Sequence, residues 1–346
     1  MATPLTPVLN VAKRASRASA AERVDDDLAA LWREVAGEGP VSRAVMSNLV
    51  VFCRCAAADN VDLSSAPKGV PIEDVARNHP ARVILLYHDP DAPEQSGTDA
   101  ELGAHLSVLT FGPPDARYGV EQIVIRSTCQ EAGLPSIVRR LILGDVPTSV
   151  WWTEDLSGTR PVAPLVAMGR QLLYDSRRWH DVRAAVLALA PLLTDQFGPD
   201  LADVNWRRLL PVRQALAHAV GSTEASRQRR LTSVHIGHGR GEAALAWLFA
   251  GWLQAVWGAD PTLEINVDED SRLGDDVLTA SFDGGLHVRL GGRQVSVDDP
   301  LGPAPFRVAV PSETEAEAIA AELCVLTHDV SLHNALAALA ARFGEP

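Results

Sequence analysis

The sequence predicts an α/β chain: a largely parallel sheet flanked by helices, followed by a second α+β domain with an antiparallel sheet. Three observations predict it. Short apolar runs of strand length alternate with helix-length segments between residues 45 and 194, the order expected of parallel strands joined by crossover helices. Four β segments then follow one another at 262–268, 277–283, 286–290 and 293–297 with no helix between them. Between these regions, from Gly221 to Gly241, the chain turns to Ser, Arg and Gly without apolar period, apart from Leu231 to Ile236. The expected organisation is a disordered tail at 1–19, an α/β domain at 20–200, a connecting helix and loop at 201–240, and an α+β domain at 241–346.

Each element has its own reason. Ser19 and Glu22 have capping-box spacing, and Val24, Leu28, Leu31, Trp32 and Val35 recur at helical spacing behind them, predicting a helix over 20–36. Val45 to Cys55 is nearly continuous apolar and reads as a buried strand. Residues 58–70 and 88–97 read as loops, and Pro71 opens a short helix that Pro80 ends. Arg82 to Tyr87 is the next strand. Residues 105–111 and 119–126 are strands joined by a link too short for a crossover helix, so that pair is expected antiparallel. A helix from Pro135, a strand at 148–152, a short helix at 164–170, a strand at 171–174 and an Ala/Leu helix at 179–194 complete the first domain. In the second, residues 242–257 form an apolar helix. Asp283-Gly-Gly285 signals a hairpin, 306–310 is a last strand, and helices cover 312–326 and 331–343.

Composition narrows the function classes. Of the 346 residues, 47% are hydrophobic and 22% charged, an ordinary balance for a globular protein. The formal net charge of −13 offers no basic excess for phosphate backbones and disfavours anionic membranes, so neither nucleic acid nor membrane is an expected partner. No apolar run approaches the ~20 residues that span a bilayer. Lys13, Arg14 and Arg17 follow the first apolar residues, the reverse of a secretory signal. Four cysteines, Cys53, Cys55, Cys129 and Cys324, are too few for a disulfide-stapled domain of this size, so the cytoplasm is expected. Cys53 and Cys55 alternate on a strand and are expected to share one buried face, with redox control left open.

Residues 145–214 concentrate the recognition chemistry. Asp145 to Glu154 contains Trp151 and Trp152; Leu172 to Trp179 ends in Asp175, Ser176, Arg177, Arg178 and Trp179; Asp203 to Gln214 carries Asn205, Trp206, Arg207, Arg208 and Arg213. Trp151 and Trp152 are strand neighbours and face opposite sides, so one can be core while the other needs a second layer or a partner. Asp175 ends a strand, where α/β folds place ligands, and Arg177 with Arg178 could clamp an anion. Equally, Asp175 could cap the following turn while the arginines pair with surface acids. Trp206, Leu209, Leu210 and Arg213 share a stripe that can seal the two domains or dock a partner, and Pro211 should kink the helix. His235 to Glu242 resembles a glycine-rich turn but matches no phosphate-binding fingerprint, and reads as a loop. His235 and His238 lack the further ligands of a metal site, and no nucleophile motif appears.

The order Val-Pro-(x)-(x)-Val-Trp-Trp, then Asp-Ser-Arg-Arg-Trp, then Asp-x-Asn-Trp-x-Arg-Leu-x-Pro-x-Arg resembles the glucose-6-phosphate dehydrogenase assembly proteins, the OpcA family. Asn48-Leu-Val-Val51, His79-Pro-Ala-Arg82, Glu121 to Ile125 and Ala250-Gly-Trp-Leu253 fall in the family's order, so the resemblance covers roughly residues 40–345. It implies a non-catalytic protein, without cofactor or metal, that binds glucose-6-phosphate dehydrogenase, favours its active oligomer and activates it allosterically. Trp152, Arg177, Arg178, Trp179, Trp206 and Arg213 are the partner-binding candidates, chosen by residue type and motif position. The rival reading is a sugar-phosphate-binding enzyme or sensor using the strand ends near Asp175.

Overall fold

The computed structural model describes residues 13–37, 39–55, 67–90, 103–113, 115–194, 198–257, 263–302 and 304–344. Residues 1–12 of the expected tail, 58–66 of one expected loop and 91–97 of another lie outside them. The chain forms two compact units. One comprises Met1–Glu154, Val162–Leu173 and Glu315–Leu326, and the other Asp155–Pro161, Tyr174–Thr314 and Thr327–Pro346. This division differs from the expected boundary near 200. The segment after Leu173 joins the second unit, and the helix near 315–326 belongs to the first.

The first unit is built on strands β1 (Lys13–Ala20), β2 (Val41–Arg43), β3 (Ser47–Arg54), β4 (Ala81–His88), β5 (Gly103–Phe111), β6 (Arg117–Ser127), β7 (Thr148–Trp152) and β8 (Gln171–Tyr174). They pair in the order β1-β5-β6-β4-β3-β7-β8, with β2 beside β6. The β1–β5 and β5–β6 pairs are antiparallel and the others parallel. Val50 lies opposite Ile84 on one side and Val150 on the other. All three are fully buried, as a central parallel strand covered on both faces requires. Helices α1 (Val24–Ala36), α2 (Ile72–Asn78), α3 (Leu134–Arg139) and α4 (Ala163–Val166) connect the strands. Val24, Leu28, Leu31 and Val35 of α1 are buried at the predicted spacing.

Two local expectations fail here. Residues 13–19, expected as tail, form β1 on the sheet edge, where Lys-Arg-Ala-Ser-Arg-Ala-Ser-Ala needs only one covered face and shows no apolar run. The capping box at Ser19 does not form: its hydroxyl donates to Asp27 at 2.7 Å instead of accepting from a backbone N–H of the helix. The alternation that predicted buried Cys53 and Cys55 agrees with their exposures of 4% and 8%.

In the second unit, α5 (Val182–Thr194), β9 (Asp200–Asp203), α6 (Leu210–Gly221) and α7 (Glu224–Arg227) precede a six-stranded sheet. Its strands are β10 (Ser233–His238), β11 (Glu264–Glu269), β12 (Asp276–Phe282), β13 (His287–Gly291), β14 (Gln294–Asp298) and β15 (Phe306–Ala309), in the order β11-β10-β12-β13-β14-β15. The sheet is antiparallel except for the β10–β11 pair. β10 corrects the expected loop at 235–238: Val234 and Ile236 are buried while His235 is exposed, a strand alternation too short to read among glycines. Val288, Leu290, Val295 and Val297 point into the core, and α6 and α8 (Ala243–Trp257) pack on the sheet.

Helix α9 (Glu315–Cys324) belongs to the first unit, where the Gln171 side-chain amide donates to the carbonyls of Glu322 and Val325, each at 3.1 Å. Helix α10 (Val330–Gly344) packs on α8 in the second. Gly251 permits that approach, since a Cβ there would stand 2.5 Å from the Ala335 carbonyl oxygen. Among the described residues, no helix is long and apolar enough to cross a membrane.

Candidate functional site

The candidate residues divide between the two units. In the first, β7 is a central strand, so layers cover both of its faces and both indoles are buried, Trp151 at 2% and Trp152 at 1% exposure. Of the two alternatives for the second indole, a second layer or a partner, the burial of both rings fits the second layer. Trp152 stacks on Phe52 of the neighbouring strand with ring centroids 4.1 Å apart and planes 3° apart. Its indole N–H has no hydrogen-bond partner among the described residues. Among the described residues, that ring is packed as core.

The other five candidates lie in the second unit. Asp175 ends β8 and caps a 3-10 turn, Ser176–Arg178, by accepting from the Arg177 backbone N–H at 3.0 Å. The Arg177 guanidinium folds back on the same carboxylate, with Nε 2.9 Å from Oδ2. Trp179 stacks on Tyr174 at 5.7 Å and is 8% exposed. Arg178 is half-buried beside it in sequence.

Behind this turn lies a buried polar network that sequence reasoning did not find. Asp203 Oδ1 accepts from the backbone N–H groups of Ser176 and Asn205, both at 3.0 Å. The Asn205 amide donates to Ser176 Oγ at 3.0 Å, and Arg208 donates to Asn205 Oδ1 at 2.9 Å. Arg208 also grips Glu242 with two bonds of 2.7 and 2.8 Å. Burial, then the nearby Asp175 charge, push the Asp203 carboxyl up to about 7 against the hydrogen bonds from Ser176 and Asn205. Its Oδ2 is buried without a hydrogen-bond partner among the described residues. The Asp-x-Asn-Trp spacing was visible, but nothing in it told that Asp203 would be withdrawn from water.

Trp206 is 3% exposed, and its indole N–H donates to Asp329 at 2.9 Å. The Arg213 guanidinium lies over its ring, 4.0 Å from the centroid, and burial lowers the Arg213 pKa. Cation over indole face is a favourable electrostatic arrangement, stronger where water is excluded. The helix expected from Asp203 starts as a 3-10 turn over Trp206–Leu209, and Pro211 then opens α6 at its first turn, where no kink results. Leu210 falls off the stripe and is 49% exposed. The structure thus joins Arg177 to Asp175, Trp179 to Tyr174, and Arg213 to Trp206.

In the first unit, sequence reasoning missed another polar group. His79 Nε2 lies 2.8 Å from Ser47 Oγ, and Cys324 Sγ lies 3.4 Å from His79 Nδ1. Burial lowers the His79 pKa. Among the described residues, no group of three or more His, Cys, Asp or Glu is placed to hold a metal ion.

Comparison with known proteins decides the family. Residues 72–191 match the model for the glucose-6-phosphate dehydrogenase subunit N-terminal domain of OpcA, and residues 199–336 the model for its C-terminal domain. The chain belongs to the OpcA family. The first OpcA domain holds Trp152, Asp175, Arg177, Arg178 and Trp179, and the second holds Asp203, Trp206 and Arg213. Relatives of OpcA name occur in cyanobacteria. An OxPP cycle protein OpcA of Nostoc punctiforme is 26% identical over 184 residues, covering 52% of this chain and 38% of its own. The one of Synechocystis is 24% identical over the same shares. The match thus spans well under half the length of these OpcA relatives. Among solved structures, Bacillus subtilis yvaA, described as an oxidoreductase, has a TM-score of 0.40 at 8% identity over 86% of this chain and 96% of that one. A likeness that slight carries no argument for the OpcA chain.

Proposed function

We propose that this OpcA-family chain is a non-catalytic cytoplasmic protein that binds glucose-6-phosphate dehydrogenase, promotes its active oligomer and activates it allosterically. The observation that carries the reading is the match to both OpcA domain models over residues 72–191 and 199–336. Activation requires tighter binding to the active state of the dehydrogenase than to the inactive one. A coupling of about 1–3 kcal/mol, roughly 5–150-fold in affinity, is typical of such effectors.

Burial supports a division among the candidate contact residues. Trp152, Trp179 and Trp206 are buried, which supports reading them as fold residues. The partner-facing candidates are the half-exposed Arg177, with 41% of its side chain accessible, and Arg178 in the same turn. Arg213, over Trp206, fixes the start of α6. The test is co-elution with the dehydrogenase of the same cell, followed by its substrate saturation curve with and without this chain. Co-elution together with a lowered substrate requirement supports the reading. A dehydrogenase indifferent to micromolar amounts of the chain refutes it.

A second reading has one observation in its favour. The Asp203 carboxyl, pushed up to about 7 beside Asp175, has the character of a group tuned for proton transfer. It is the observation in favour of the rival reading, an enzyme or sensor using the strand ends near Asp175. Turnover of such a compound by the purified chain, lost in Asp203→Asn, would establish that reading instead.

A further inference from the structure

The six-stranded sheet of the second unit carries its helices on one face, and the strand alternation sends a different set of side chains to the other. On that open face, strand pairing places Thr279 opposite Arg289, Arg289 opposite Ser296, and Ser296 opposite Arg307. Two residue pairs along, on the same face, His287 lies opposite Asp298. Arg289, Arg307, His287 and Asp298 are exposed and Ser296 is partly so. Together with Pro305 these residues line a depression of about 360 Å³. That volume lies within the ~300–1,000 Å³ range of small-molecule sites.

The two arginines differ from four others of the same unit. Arg207 is paired with Glu313, Arg208 with Glu242, Arg229 with Asp299 and Arg272 with Asp270. The guanidinium groups of Arg289 and Arg307 have no carboxylate or hydrogen-bond partner among the described residues. In a chain of net charge −13, where carboxylates outnumber cations, two guanidiniums left without an acid on one row of a sheet are conspicuous. Neighbouring strands are ~4.8 Å apart, so the two side chains flank the Ser296 hydroxyl from either side at ~10 Å between their backbones. Guanidinium forks approaching from two sides with a hydroxyl between them match the several acceptor oxygens of a tetrahedral oxyanion. A single carboxylate would leave one fork unanswered. His287 Nδ1 lies 3.0 Å from Ser281 Oγ, so Nε2 is the ring nitrogen turned to a ligand. Asp298 lies opposite that histidine and would repel an anion placed on it, but it can accept from hydroxyl groups.

We propose that this depression is a binding site for the phosphate monoester of a small hydroxylated molecule. Arg289, Arg307 and Ser296 take the phosphoryl oxygens, and Asp298 takes hydroxyl donors of the organic part. The site is separate from the Asp175 turn, and the proposal stands apart from the dehydrogenase partnership, since its readout needs this chain alone.

The test is calorimetric titration of the full chain with inorganic phosphate, a hexose 6-phosphate, the unphosphorylated hexose and citrate at about 0.1 M salt, where screening leaves only short-range pairing. Saturable binding of the hexose phosphate, weakened roughly tenfold or more by Arg289→Gln and by Arg307→Gln, is expected. Equal binding of inorganic phosphate would support the oxyanion cradle without recognition of the organic part. Ser296→Asp, at a partly exposed position, should abolish binding by repulsion and serves if an arginine variant fails to fold. No saturable binding at 10 mM phosphate ester, as an order-of-magnitude ceiling for a specific site, overturns the proposal. So does binding that all three substitutions leave unchanged, or citrate binding more tightly than either phosphate.

Discussion

Glu121 on β6 and Arg82 on β4 meet inside the first unit, with Arg82 Nε 2.7 Å from Glu121 Oε2 and their side chains only 6% and 1% accessible. The same carboxylate accepts from the Trp32 indole at 2.7 Å, and Arg43 stands 2.9 Å from it. Arg82 reaches on to the Leu141 carbonyl at 2.8 Å. One buried acid thus ties α1, β2 and β4 to β6 near the start of the parallel strands. Removing one partner of a buried pair leaves the other charge uncompensated, which costs about 3–5 kcal/mol. Glu121→Gln should lower stability by that order in urea denaturation, while the paired replacement Glu121→Leu with Arg82→Met should cost less than either single change. A single change with no effect on the midpoint would contradict the burial.

Asp203 makes stability depend on pH in an unusual direction. Its carboxyl sits at about 7 in the fold, raised by burial and by Asp175, and near 3.9 in the unfolded chain. Between those values the folded state binds more protons than the unfolded state, so stability falls as pH rises. The penalty is absent below about pH 4, full above about pH 7, and at most roughly 4 kcal/mol. Asp203→Asn, which cannot ionise, should therefore gain on the wild type as pH goes from 5 to 8. Denaturation midpoints of both proteins at the two pH values give the answer; parallel pH profiles would count against a raised carboxyl.

Trp152 and Arg178 should separate folding from binding. Trp152→Ala removes a ring stacked in the core and should cost about 3–5 kcal/mol. Arg178→Glu changes a half-exposed side chain and should leave circular dichroism and melting near wild type while weakening co-elution with the dehydrogenase. If Arg178→Glu bound normally, the turn after β8 would not be the contact.

Gly251 is set against the backbone of α10. An added Cβ would stand 2.5 Å from the Ala335 carbonyl oxygen and 2.7 Å from Leu339 Cγ. Gly251→Ala should destabilise by about 1–3 kcal/mol, the usual cost of overpacking. A melting temperature equal to wild type would show that α10 can shift freely.

How much of this was legible in the sequence depends on where each contact is made. Strands β3, β4 and β7 announce themselves because both faces are buried, and their runs are continuously apolar. Strand β1 does not, because an edge strand satisfies its backbone on one side and needs few apolar side chains. Strand β10 is hidden for a related reason: only Val234 and Ile236 mark its inner face before glycine intervenes. Helix α9 looked like part of the second domain because proximity along the chain suggested it, whereas Gln171 binds its C-terminal carbonyls. The tryptophan and arginine motifs were visible as residue types. Their directions were not, since the Phe52 stack, the Asp329 acceptor and the Asp203 network join residues 27 to 123 positions apart. The row formed by Arg289, Ser296 and Arg307 likewise exists only in the strand register.

The most direct test of the central claim is the saturation curve of glucose-6-phosphate dehydrogenase for glucose 6-phosphate, measured with increasing amounts of this chain. Half-saturation is expected to fall to a limiting value as the chain is added, while the chain alone turns over nothing. A curve that does not move at any ratio, with the two proteins eluting apart, would contradict it.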